Sequence, residues 1–581
     1  DNMNLEEYDV FEECKKGNIG VIRKWIEQNN VHHKNSFNET LLIPATSNGY
    51  ISIVKLLIDH KADVNVKNRH NKTPLQIANE LGHSNIVFCL LENNADVHVI
   101  DEFQGKPVHV ACENNNMKVL KVLLSHKNID INELNIHYET PLLVALNMGF
   151  NNIALCLLEN NAKVNISGRI NKTPLHYAAN GIGLVEVIKI LLERHADVNA
   201  RDKYKDTPLF YACRKSNNPS VSVLLENNAE VNIQNFQKNS PLHVACKSKI
   251  DNLHTIKALL EKHIDLEMKN KFGGTALHTA CVHGTFNNVQ CLLDHHANIN
   301  ARTRQNNTPL HRACTKDNVS IIELLLKYNI NVNVKGFKDQ TPLHVACHKN
   351  KEEAASCLLE NGAEVNAKDL NKQTPLHLAC EHKNMNLLNM LMVHKADVHS
   401  KDKGLKTPLH IACQHGFLPL ISKLLEHDAP VNDEDYDGHT PLHFACKHRH
   451  LELLEVLIEQ EAKVNVKNYF KDTPLHIACS NKGSSSCVDY LLKHQADVYA
   501  KNLDNLTPLH IACEEHNVKV VTSLLAYNSP VDGKDRFDKT PLHRACDNFE
   551  IVTLLLEHCP TCVHSYHKEK GSVLHTLLDY Y

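Results

Sequence analysis

No run of apolar residues in this 581-residue chain approaches the roughly 18–20 that a membrane-spanning helix needs. The opening residues, DNMNLEEYDVFEECKKG, carry charge where a secretory leader would be apolar. No Gly/Ser-rich or Pro-rich stretch interrupts the chain, so no linker marks off one domain from the next. Neither sign of charge dominates. The 63 Lys and Arg stand against 67 Asp and Glu, and a net charge of −4 gives no global pull toward nucleic acid or anionic membrane. Catalytic signatures are missing too: no G-x-x-x-x-G-K-[ST], no G-x-S-x-G, no H-E-x-x-H and no kinase set. Carboxylates are plentiful, but they recur at one register ("LLE", "LLEN"), which marks a solvated helix face rather than an acid/base pair.

What the chain does contain is a repeated phrase. "TPLHIACQHG" (407–416) has near copies in "TPLHRACTKD" (308–317), "TPLHVACHKN" (341–350) and "TPLHLACEHK" (374–383). Taking the Thr of this phrase, or its replacement, as an anchor gives Thr40, Thr73, Lys106, Thr140, Thr173, Thr207, Ser240, Thr275, Thr308, Thr341, Thr374, Thr407, Thr440, Thr473, Thr507, Thr540 and Ser572. The separations run from 32 to 35 residues and most are 33. A period this steady points to a solenoid of small stacked units, none able to cover its own apolar face alone.

Residues 407–439 illustrate one unit. Thr407 suits an N-cap, and Pro408 suits the first helical position, where its missing N–H costs nothing. Leu409, Ala412 and Cys413 form a narrow apolar stripe, and "HG" (415–416) ends the helix. Leu420, Ile421, Leu424 and Leu425 then have the spacing of one buried face of a second helix. Asn94, Asn161, Gly362 and Asp428 occupy the stop of that helix in their units, and all are types that tolerate the left-handed conformation. An extended segment and a hairpin turn lead to the next anchor.

With nine intact copies of TPLH and a 33-residue period, the chain resembles the ankyrin repeat over essentially its whole length. The resemblance implies an all-α repeat solenoid of stacked helix–loop–helix–hairpin units forming a curved superhelix. Residues 1–35 read as an N-terminal cap-like repeat, 36–239 as more divergent repeats, 240–571 as repeats close to consensus, and 572–581 as a truncated repeat. Because the sequence begins at Asp1 and ends inside a first helix, it reads as a fragment. Gln76, Leu143 and Phe210 replace the signature His. The longest interval, from Ser240 to Thr275, is expected to lengthen a loop between helices near residue 250.

The 41 His and 20 Cys raise the question of metal or thiol chemistry. In the family, the signature His bonds the Thr hydroxyl and nearby hairpin backbone, which makes it structural. The recurrent "AC" cysteines fall one per unit, too far apart to pair, and suit a reducing, cytoplasmic setting. Only Cys559, Cys562, His564 and His567 have zinc-like spacing, and a distorted repeat end is the stronger reading there. No cofactor, metal or catalytic residue is expected.

Function is then expected on the surfaces that the framework leaves free. Hairpin tips and helix ends in the middle of the chain are rich in Arg201, Lys203, Arg214, Lys215, Lys238, Lys247, Lys269, Lys271, Arg302, Arg304, Lys316, Lys335 and Lys349. Tyr204, Phe236, Phe272 and Phe337 recur among them. Such a strip suits acidic peptides, with cations pairing to carboxylates and aromatic rings as anchors. The expectation is a non-enzymatic scaffold or adaptor that binds proteins along the concave face as a monomer. Small-molecule substrates, nucleic acid and direct membrane insertion are not expected. Competing readings are a regulatory or elastic arm of a larger protein such as an ion channel, a secreted repeat protein, and a thiol or zinc enzyme centred on 558–567.

Overall fold

The structure, a computed structural model, describes residues 10–100, 105–248, 252–481, 484–564, 566–567 and 571–572. Among these residues it forms 34 α-helices, short 3₁₀ turns and one pairing of Tyr566–His567 with Gly571–Ser572. The chain divides into two compact units, Asp1–Asn298 and Ile299–Tyr581. Within each, helices come in pairs. First helices pack beside successive first helices, and second helices beside successive second helices, so the core is a pair of parallel layers. The segment beyond Ser572, read as a truncated repeat, lies outside the described residues.

The physical reading of one repeat holds in detail. The first helix is Pro408–His415, capped by Thr407 and stopped by Gly416 at φ +65°. The second is Leu418–Leu425, with Leu420, Ile421, Leu424 and Leu425 buried. Asn94, Asn161, Gly362 and Asp428 all adopt positive φ at the end of the second helix. The long interval near residue 250 does separate two helices: one ends at Cys246 and the next begins at Leu253. Residues 249–251 within it lie outside the description.

The signature His is the joint between repeats. Nδ1 of His410 accepts the Thr407 backbone N–H at 3.1 Å and lies 2.9 Å from the Thr407 hydroxyl. Its Nε2 lies 3.1 Å from the carbonyl of His439, in the next repeat. A carbonyl only accepts, so Nε2 carries the proton and the ring is neutral. Equivalent bonds run from His176 to Asp206, His243 to Gly274, His344 to Gln373 and His443 to Asp472. Burial holds these imidazoles below their ordinary range, to about 4 for His311, His410, His443 and His510.

The departures are informative. Gln76 reproduces the joint: its Oε1 accepts the Thr73 N–H at 2.8 Å and its Nε2 donates to the Ile100 carbonyl. Phe210 cannot, and although fully buried it leaves the Thr207 hydroxyl without a partner among the described residues.

Candidate functional site

Most hairpin tips are built around an Asn or Asp whose side chain closes the turn, while Thr303 does so with its hydroxyl and Gly168 and Gly336 stand at that position in two others. Asp202 Oδ1 accepts the N–H groups of Tyr204 (2.8 Å) and Asp206 (2.9 Å), and Asp435 does the same for Asp437 and His439. Neighbouring tips are joined by single backbone bonds, such as Phe236 N–H to Tyr204 carbonyl at 2.8 Å and Tyr436 N–H to Gly404 carbonyl at 2.8 Å. The turn therefore fixes the backbone and leaves the other tip side chains facing solvent.

Every residue of the basic and aromatic strip is exposed. The strip falls into two parts. In the first unit Arg201, Lys203, Tyr204, Phe236, Lys238, Lys269, Lys271 and Phe272 lie on tips, while Arg214, Lys215 and Lys247 lie at first-helix ends. In the second, Arg302, Arg304, Lys335 and Phe337 lie on tips, and Lys316 and Lys349 follow first helices. Some of these cations brace the framework: Arg201 donates to the Gln234 carbonyl, Arg302 to those of Asn306 and Lys335, and Arg214 to the Asp206 carboxylate.

In the first unit a groove of about 700 Å³ lies between tips and helix ends. Its floor is Tyr211, whose ring lies between two cations, Lys172 Nζ at 4.6 Å and the Arg214 guanidinium at 5.0 Å from the centroid. The Tyr211 hydroxyl donates to Asp202 at 2.7 Å, and burial with that carboxylate pushes its ionisation far up. Arg214 pairs with Asp206 at 2.7 Å, and Asp206 also accepts from Asn235 at 2.7 Å. Lys172 has no hydrogen-bond acceptor among the described residues; it rests on the faces of Tyr177 and Tyr211. Burial and the nearby Arg214 lower its pKa, while Asp202 opposes that shift. Tyr204 and Phe236, 52% and 64% exposed, form the apolar rim, and Lys247 stands at its edge.

Of these, Tyr204, Arg214, Phe236 and Lys247 stand out in the sequence, whereas Lys172 and Tyr211 do not. Lys172 belongs to the preceding repeat, and Tyr211 occupies a position that is aliphatic in most units. The row of exposed apolar tips also extends beyond Phe337, through Leu370, Tyr436, Tyr469 and Leu503.

The second unit holds a smaller counterpart of about 220 Å³, lined by Lys406, His439, Phe444 and Lys447. Lys406 Nζ lies 4.9 Å from the Phe444 centroid. Potential ligand atoms of Asp435, Asp437 and His439 lie within 4.8 Å of one another. Asp435 is already engaged by the turn, and the His439 Nε2 lies 3.1 Å from the Asn468 amide, so these donors are occupied in closing tips rather than arranged for a metal.

The cysteines offer no nucleophile of ordinary reactivity. All eighteen free thiols are buried, and burial pushes Cys14 and Cys347 up to about 12 and the fully enclosed Cys413 and Cys446 higher still. Cys559 and Cys562 are paired with each other, and the side chains of His564 and His567 lie outside the described residues. Among the described residues no helix is long and apolar enough to cross a membrane.

Comparison with family models gives overlapping matches to ankyrin repeats (3 copies) at residues 11–101, 85–168, 108–202, 175–270, 242–336, 335–402, 383–468, 409–502 and 475–566. No curated protein matches the chain.

Proposed function

Because the chain belongs to the ankyrin-repeat family, whose repeats are generally protein-interaction modules, we propose that it is a non-enzymatic scaffold or adaptor. In this reading it binds partner proteins along the face made by hairpin tips and first-helix ends, acts as a monomer, and works in the reducing cytoplasm, where its buried thiols stay free. The observation that carries the reading is the Tyr211 groove. There an ammonium group without an acceptor among the described residues, Lys172, sits beside Arg214 and Lys247 under an apolar rim. A carboxylate-bearing segment supplies the missing acceptor for Lys172 while its apolar side chains cover Tyr204 and Phe236. Second helices instead present Glu193, Glu226, Glu261 and Asp294.

The test is a paired capture from cell lysate. One bait is the natural chain and the other carries Arg214, Lys215, Lys247, Lys316 and Lys349 changed to Glu, with folding checked by circular dichroism. Partners lost from the charge-reversed bait alone support the reading. Identical partner sets from two folded baits remove the tip and helix-end face as the binding site.

A further inference from the structure

The signature histidines are neutral joints, but the second unit carries another set that the joints do not use. His348 and His415 are the last residues of their first helices, His382 directly follows a third, and His448 ends a fourth. These four helices belong to successive repeats, and packed neighbours bring the ends together. The rings of His348 and His382 are 5.6 Å apart, centroid to centroid. His448 stacks on His450 at 6.1 Å. His450 in turn covers Gly416, where a methyl group would run into its ring. His415 feels Lys383 and His382 on one side and His448 on the other.

The charged groups facing this row are of nearly one sign. Lys338 and Lys349 flank His348, Lys383 faces His415 and His450, and Lys406 and Lys447 face His448; Glu381 acts on His348 and His415, and Asp435 and Asp437 line the pocket that Lys406 and Lys447 share. None of these five lysines forms an ion pair among the described residues. The histidines sit at helix C-termini, where carbonyl ends favour positive charge. Desolvation and the neighbouring cations nevertheless hold His348, His415, His448 and His450 below their ordinary range. A negatively charged ligand laid along the row removes that repulsion.

We propose that the row His348–His382–His415–His448 is a docking surface for an acidic, partly apolar segment of a partner protein, and that docking takes up protons. The inference rests on the scaffold reading and names the partner chemistry on the second unit. The partner is taken to be peptide because the adjoining tips offer one exposed apolar side chain per repeat: Phe337, Leu370, Leu405 and Tyr436. Asp433, Glu434 and Asp437 on the tip beside Tyr436 disfavour a ligand charged at every residue, such as a phosphate backbone, over one whose carboxylates alternate with apolar side chains. Carboxylates meet the histidines and lysines, and apolar side chains meet the tips. Since carboxylates laid against these imidazoles favour their charged form, docking takes up protons and binding tightens as pH falls.

The test uses the full chain and a fluorescein-labelled peptide of alternating Glu and Leu, read by fluorescence anisotropy at pH 7.5 and 6.0, with single-stranded DNA of equal charge as a separate probe. The expected result is peptide binding at least tenfold tighter at pH 6.0, with net proton uptake seen by calorimetry in two buffers of different ionisation enthalpy. The variant H348Q/H382Q/H415Q/H448Q, melting as the natural chain does, is expected to bind more weakly than the natural chain at pH 7.5 and to lose the gain at pH 6.0. A second variant, K349Q/K383Q/K447Q, is expected to weaken binding at both pH values. Peptide binding that ignores pH, a histidine variant that keeps the gain, or DNA that binds more tightly than the peptide overturns the inference. So does absence of peptide binding, while partners lost from the charge-reversed lysate bait leave the scaffold reading standing.

Discussion

The Tyr211 groove of the first unit and the Phe444 pocket of the second are built from the same positions of the repeat, yet they end in different states. In both, the residue before an anchor Thr (Lys172, Lys406) lies over the aromatic ring four places after the next anchor (Tyr211, Phe444). In both, the joint histidine of the earlier repeat meets that ring edge-on, His176 at 5.6 Å and His410 at 5.9 Å. Its Nε2 also holds the residue before the next anchor, Asp206 in one case and His439 in the other. The difference lies in the outward residues. Tyr211 is tied to Asp202 and Arg214 to Asp206, which locks the groove by charge. Phe444 has no hydroxyl, His439 replaces the aspartate, and Lys447 has no ion-pair partner among the described residues. One framework thus produces a charge-locked groove in one unit and an open, cation-lined pocket in the other, through a few side chains outside the joint.

Breaking the shared framework should have the largest effect. His410→Ala and His176→Ala each remove a helix cap and the bond to the next repeat, and each is expected to cost about 2–3 kcal/mol in chemical denaturation. His410→Gln should cost less, because Gln76 already makes the same bonds in its repeat. Each substitution should destabilise the groove that its own histidine supports. Stack energetics are local, so each loss should spread mainly to adjacent repeats, as hydrogen exchange would register.

Acid should break both grooves by one route. The joint histidines are neutral in the fold and titrate near 6.5 when unfolded, so the unfolded chain binds more protons between those values. Their contribution is fully present above about pH 6.5 and is lost as pH falls toward about 4, where His311, His410, His443 and His510 titrate in the fold. Each is expected to remove up to roughly 1.4 kcal/mol per pH unit across that window. Thermal melts followed by circular dichroism from pH 7 to 4 read the slope directly.

Smaller changes sharpen the difference between the grooves. Tyr211→Phe makes the first groove resemble the second and removes one donor from buried Asp202, at an expected cost of about 1 kcal/mol. Lys447→Ala and His382→Gln change only exposed groups and should stay within about 0.5 kcal/mol of the natural chain. A comparable destabilisation from these exposed changes would show that the outward residues also support the stack.

The framework was legible in sequence because each of its residues has one physical task. Thr caps, Pro starts, Gly416 stops, Asn94 or Asp428 turns left-handed, and Cys413 fills a space too small for a larger side chain. Those tasks recur every repeat, so repetition exposes them. The groove was only partly legible because it draws on two repeats at once. Lys172 meets Tyr211 across 39 positions of sequence, and neither residue departs from its surroundings in charge or hydropathy. The histidine row was hidden by its own residue type: the joint histidines account for the pattern so well that His348, His382, His415 and His448 blend into it. Only position on the helix separates a buried His410 from a half-buried His415.

The central claim is that function lies on the tips and helix ends while the second helices serve the stack. Cross-linking of the natural chain to the partners it captures, read by mass spectrometry with a lysine-reactive reagent, tests it most directly. The account predicts links to Lys203, Lys238, Lys247 and Lys349, with Lys189 and Lys257 on the second helices unlinked. Links concentrated on Lys189 and Lys257 would contradict it.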